Sequence, residues 1–139
     1  LLHEFASFNF EDVCKEFVRE MQKNNELPFR YNKMGRWAGK TTVCDDNADD
    51  GLRVAETDID LLGISRGAKE YLVGECKFKK SPFDYSEYLD TIAKLAPLKQ
   101  KAKFYYALFS ENGFDNKIAN NAENNNVRLY TLEDIVNYK

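Results

Sequence analysis

The stretch that decides the fold is Val54–Phe78, which reads VAETDIDLLGISRGAKEYLVGECKF. It holds two strand-like runs, one built around Asp58-Ile59-Asp60-Leu61-Leu62 and the other running from Glu70 through Gly74-Glu75-Cys76-Lys77 to Phe78. Gly67 supplies a turn between them, so Val54–Ile64 and 70–78 are expected to pair as antiparallel neighbours. Period-2 geometry puts Glu75 and Lys77 on one strand face and Gly74 and Cys76 on the other. Such pairing brings Asp60 beside Glu75, and two close carboxylates repel unless a cation lies between them or one is protonated. The plainer alternative is a Glu75–Lys77 pair on a solvated edge strand, with no chemistry attached.

On the N-terminal side, Phe10, Val13, Cys14, Phe17, Val18 and Met21 recur at helical spacing, which predicts an amphipathic helix over 10–23. Asn9 with Asp12 is expected to cap it, and Asn24-Asn25 with Pro28 to end it. Gly35, Gly39 and Gly51 signal turns around one or two short strands in 30–51. Beyond Phe78 the pattern predicts a helix from Tyr85 ending near Pro97, a strand Lys103–Ser110 and a turn at Asn112-Gly113. A short helix Phe114–Ala122, a turn at Asn124–Asn126 and a strand Val127–Tyr130 follow. Thr131 with Asp134 caps a closing helix. The fold class read from this order is α/β, a mixed central β-sheet flanked by helices on both faces.

The chain has 139 residues, 43% of them apolar, which suits one domain. No apolar run approaches the roughly 20 residues of a membrane helix. Cys14, Cys44 and Cys76 form no CxxC pair, so a reducing cytoplasm is the expected setting. His3 is the single histidine, which leaves carboxylates and lysines to do any chemistry. Oxygen-only ligands at Asp60 and Glu75 suit Mg²⁺ or Mn²⁺, and Lys77 would orient or help deprotonate an attacking water. The net charge of −3 is unevenly spread. Residues 45–60 hold seven acids against Arg53, whereas 66–103 hold nine bases against five acids. The acids at Asp45, Asp46, Asp49 and Asp50 lack the order of a calcium loop and read as a solvated turn. Lys79 and Lys80, directly after the second strand, could grip a phosphate backbone or simply be solvated. Cys76 reads as a packed core thiol.

Ile59-Asp60 followed by Glu75-Cys76-Lys77 resembles the bipartite signature of the PD-(D/E)XK nuclease superfamily, with Ile59 standing where the nominal motif has proline. A wider set recurs in order: Phe10-Glu11-Asp12-Val13-Cys14, Gly35-Arg36-Trp37, Asp58-Ile59-Asp60, Gly74-Glu75-Cys76-Lys77-Phe78 and Phe109-Ser110-Glu111-Asn112-Gly113-Phe114. Over roughly residues 10–135 it is similar to the C-terminal nuclease-like domain of unknown function carried by prokaryotic AAA-type ATPases. The resemblance implies a restriction-endonuclease-like fold and a Mg²⁺- or Mn²⁺-dependent nuclease acting on DNA. Asp60 and Glu75 would bind metal, Lys77 would be catalytic, and Glu11 would be an accessory acid, although an acid in a first helical turn is favoured there in any case. Lys79, Lys80 and Arg36 are the expected nucleic-acid contacts. Asp58 would be an outer ligand or a surface acid. Residues 1–139 would then be one domain at the C-terminus of a longer protein, with the ATPase portion before Leu1 as a partner and a homodimer left open. The alternatives are a silent nuclease fold that binds DNA or protein for the ATPase, and a purely structural interaction domain.

Overall fold

A computed structural model describes residues 9–122 and 126–138, and only the backbone of 41–44. Nine elements follow in order: α1 (Phe10–Lys23), β1 (Lys33–Cys44), β2 (Leu52–Ile64), β3 (Glu70–Lys77), α2 (Tyr85–Ala93), β4 (Lys103–Ser110), α3 (Asn116–Asn121), β5 (Val127–Thr131) and α4 (Leu132–Val136). Strands β1 to β5 lie side by side in sequence order. The first three are antiparallel and the last three parallel, because turns join the first three and α2 and α3 carry the later crossovers. The sheet is mixed and flanked by helices, as the element order predicts.

Each face buries its own core. On one side Ile59, Leu62, Val73 and Leu108 pack against Tyr88 of α2 and Ile118 of α3. On the other, Leu61, Leu72 and Phe109 meet Cys14, Phe17 and Val18 of α1. Adjacent residues such as Leu72 and Val73 enter opposite layers, which is why the central strands read as continuous apolar runs. Phe17 anchors the α1 layer edge-on against Phe109, Tyr130 and Tyr138 at 5.0–6.1 Å.

The differences from the sequence reading are local. Gly35 and Gly39 end no strand: both lie inside a single 12-residue β1. Pairing with β2 supplies backbone partners on either side of a break at Arg36, and that outweighs the weak strand preference of glycine. Asn9 caps α1 by accepting the N–H of Glu11, not through Asp12. The second helix stops at Ala93, where Leu95 takes a left-handed φ of 58°, and Ala96–Gln100 continues as a tighter 3₁₀ turn around Pro97. Most of the Asn124–Asn126 turn, along with His3, lies outside the described residues. The acidic stretch after β1 forms a turn as expected, closed by the Asp45 N–H bonding to the Gly51 carbonyl.

Two features of β2 position the site. Gly35 faces Leu62 and Trp37 faces Ile59, so Arg36 stands opposite both Asp60 and Leu61. The extra β2 residue is a bulge, and it turns Leu61 into the α1 layer while Ile59 and Leu62 enter the other. Pairing between β2 and β3 runs only from Ile64–Tyr71 to Leu61–Gly74. Beyond that point the two strands part. β2 continues with β1 alone as a two-stranded ribbon, and Glu75–Lys77 keep only β4 as a neighbour.

Candidate active site

The site occupies the opening where β2 leaves β3. Asp60, 8% exposed, and Glu75, 7% exposed, are buried carboxylates on its two walls. Asp60 Oδ2 accepts the backbone N–H of Cys76 at 2.9 Å, a donor that β2 no longer serves. Burial pushes the Glu75 carboxyl above its ordinary pKa; a hydrogen bond from Lys94 opposes this and the adjoining Asp60 carboxylate adds to it. The sequence-predicted pair is therefore brought together.

Cations surround the pair. Arg36, at the bulge, holds Asp60 Oδ1 at 3.2 Å and Asp58 Oδ2 at 2.7 Å, and its guanidinium also bonds Glu11. One arginine thus joins the first turn of α1 to β2, and Glu11 meets the carboxylates only through it. Arg36 itself is engaged by three acids, whose charge raises its pKa, Glu11 contributing most. Lys94 donates to Glu75 Oε2 at 2.9 Å and to the Asp58 carbonyl at 2.6 Å. Lys77 lies 3.7 Å from Glu75 and 3.6 Å from Glu87. Burial works to lower the Lys77 pKa, but Glu75, Glu87 and Asp60 outweigh it and hold the pKa above its usual value. Lys77 thus stands as a cation between Glu75 and Glu87.

Glu87 is a site residue that the sequence reading did not single out, and Lys94 serves the Glu75 carboxylate rather than a phosphate. Glu87 completes a capping box with Asp84 at the start of α2, and its carboxylate also takes Lys79 at 2.7 Å. The Asp84-x-x-Glu87 spacing was the available signal, and it speaks only of a helix start. Lys79 is thus committed to α2, while Lys80 is exposed and has no ion pair among the described residues. The Ser110–Phe114 segment buttresses the strand that carries the motif. Asn112 donates to the Lys79 carbonyl at 2.7 Å, and the Phe83 N–H bonds the Gly113 carbonyl. Cys76 turns toward Cys14 in the α1 layer, away from the carboxylates, and contact with that thiol together with burial raises its pKa far above the ordinary range.

Among the described residues no group of three or more Asp, Glu, His or Cys side chains is arranged to hold a metal ion. The donor set is two buried carboxylates, with oxygen the only ligand type. That chemistry fits a hard divalent cation that takes its remaining ligands from water or phosphate. No helix among the described residues is long and apolar enough to cross a membrane.

The family described as archaea bacterial proteins of unknown function, DUF234, matches residues 1–90, which include Glu11, Arg36, Asp60, Glu75, Lys77 and Glu87. An uncharacterized protein of Methanocaldococcus jannaschii is 31% identical over 136 residues, covering 95% of this chain and 26% of the relative. The chain thus spans about a quarter of that protein's length. No solved structure matches.

Proposed function

The chain belongs to the DUF234 family of archaeal and bacterial proteins, and from that premise we propose that it is a PD-(D/E)XK-like nuclease module that hydrolyses DNA phosphodiesters with Mg²⁺ or Mn²⁺. The observation that carries this reading is the Asp60–Cys76 hydrogen bond, which turns the aspartate into the strand opening beside Glu75. A structural surface acid has no need of that burial or of a like charge next to it.

Asp60 and Glu75 would hold the cation, which would supply charge neutralisation at the scissile phosphate and activation of the attacking water. Lys77 keeps its proton and offers N–H donors at the mouth of the opening, where it would orient water or a phosphate oxygen. Glu87 pairs with Lys77 at 3.6 Å, and Lys94 fixes the Glu75 carboxylate at 2.9 Å. Glu11 acts through Arg36, setting the guanidinium that braces Asp60 and Asp58. In the longer proteins of the family the module would work beside an ATPase portion, in a cytoplasmic setting.

A second reading has its own support. Arg36 on Asp60 and Lys94 on Glu75 already neutralise the pair, so the domain could be a silent module that binds DNA or protein. One experiment separates them. Supercoiled plasmid and single-stranded DNA are incubated with the protein and Mg²⁺ or Mn²⁺, beside Asp60→Asn, while Mn²⁺ binding is followed by electron paramagnetic resonance. Cleavage and Mn²⁺ binding that both vanish in the variant support the nuclease. Absence of both in the wild type favours the silent module.

A further inference from the structure

The cations nearest the carboxylates are spent on ion pairs, so any grip on a polyanion must come from elsewhere. Strand register gathers five exposed basic residues at one end of the sheet. Lys33 opens β1 opposite Ile64, Arg66 and Lys69 flank the β2–β3 turn, and Lys101 and Lys103 lead into β4, where the Lys103 N–H bonds the Lys69 carbonyl. Among the described residues none of the five forms an ion pair. Lys99 is exposed as well, but its ammonium bonds the Ile92 carbonyl and lies over the Tyr106 ring, while the Lys103 ammonium lies over the Tyr105 ring and bonds no carbonyl among the described residues.

This end lies on a path to the site. Asp60 is four residues from Ile64 along β2 and Glu75 five from Glu70 along β3, a separation of roughly 13–17 Å at about 3.3 Å per residue. The 3₁₀ segment Ala96–Gln100 links the two, starting just after Lys94 in the site and ending beside Lys101. The opposite end of β2 runs out to the turn holding Asp45, Asp46, Asp49 and Asp50, which repels a polyanion. Charge therefore changes sign along the sheet, with the carboxylate opening in between.

We propose that the Lys33/Arg66/Lys69/Lys101/Lys103 end is the nucleic-acid grip of this domain, holding the DNA phosphate backbone about four to five base pairs from the carboxylate opening. The proposal deepens the nuclease reading and rests on it for the choice of DNA as the polyanion. Its substrate is a strand that extends past the site toward the basic end, away from the acidic ribbon tip.

The test is fluorescence anisotropy in EDTA with a labelled duplex of about two helical turns, roughly 20 base pairs, across a salt series. Arg66→Glu/Lys69→Glu/Lys101→Glu should weaken binding at least about tenfold and flatten the plot of log affinity against log salt by about 2.7. Arg66→Gln/Lys69→Gln/Lys101→Gln should fall between it and the wild type, and Lys80→Glu should change affinity less than either. Circular dichroism checks that each variant is folded. Unchanged affinity in the triple variants, or a larger loss in Lys80→Glu, would overturn the proposal. So would displacement of the duplex by polyglutamate as effectively as by unlabelled duplex, which would point to an acidic protein instead. Binding with the expected losses but no cleavage in Mg²⁺ or Mn²⁺ would leave the grip standing and sink the hydrolytic reading.

Discussion

Asp60 and Cys76 are joined across the point where β2 leaves β3, the carboxylate accepting the backbone N–H at 2.9 Å. One Asp60 oxygen is thereby tied to the fold and the other is left to Arg36 or a cation. Asp60→Asn keeps an acceptor for Cys76 but loses the charge, so it should melt near the wild type while DNA cleavage falls about a hundredfold or more. Asp60→Ala also orphans the Cys76 N–H, and urea unfolding should show a further loss of roughly 1–3 kcal/mol. Equal stability of the Ala and Asn variants would mean that the hydrogen bond contributes little.

Arg36 competes with any cation for Asp60 and Asp58. Arg36→Gln removes that competitor while leaving Glu75 untouched. Mn²⁺ affinity should rise several-fold, whereas duplex binding in EDTA should change little, because the guanidinium is held by acids. Weaker Mn²⁺ binding in this variant would show instead that Arg36 is needed to hold the carboxylates in place.

Lys94 is the main counter-charge of a buried carboxylate. Glu75 has a folded pKa above its ordinary value of 4.5. Its ionisation therefore costs stability progressively as pH rises from that value through the folded pKa, and the cost is full above it. Lys94→Met removes the opposing hydrogen bond and raises the Glu75 pKa further, so its stability deficit should widen from pH 4 to pH 8, reaching roughly 3 kcal/mol. Adding Glu75→Gln should remove most of that pH dependence. A deficit that stays constant with pH would mean that Lys94 acts by packing alone.

Gly74 sits opposite Leu61 at the last paired position before the strands part. A Cβ there would meet the Leu61 Cβ at 2.9 Å and the Leu61 carbonyl oxygen at 3.4 Å. Gly74→Ala must push β2 from β3 where the two carboxylates are set, and should cost about 1–3 kcal/mol in thermal or urea unfolding. Cleavage should fall by more than the loss of folded protein explains. A variant as stable and active as the wild type would show that the strand opening tolerates a wider gap.

The order of elements, the antiparallel pairing around Gly67, the caps at Asn9 and Thr131 and the approach of Asp60 to Glu75 were legible because they depend on local periodicity and turn chemistry. The roles of Lys94, Glu87 and Arg36 were not. Lys94 meets Glu75 and Asp58 across 19 and 36 residues of chain, and its sequence neighbourhood shows only a helix end. Glu87 announces a capping box, and nothing local tells that its second oxygen faces Lys77. Arg36, read as a contact for nucleic acid, stays exposed but pairs with Glu11, Asp58 and Asp60, because the bulge on β2 stands opposite it.

By itself, the sequence determined that two buried-strand segments would place an acid on each of two adjoining strands, since alternation and a short turn allow few other pairings. Tertiary structure decided what surrounds those acids. The bulge, the parting of β2 from β3 and the end of α2 are set by packing of the two core layers, and long-range contacts of that kind leave no periodic trace in the chain. For the same reason the charge at the site belongs to ion pairs, and five cations with no ion pair among the described residues collect at the far end of the sheet, where strand register brings them together.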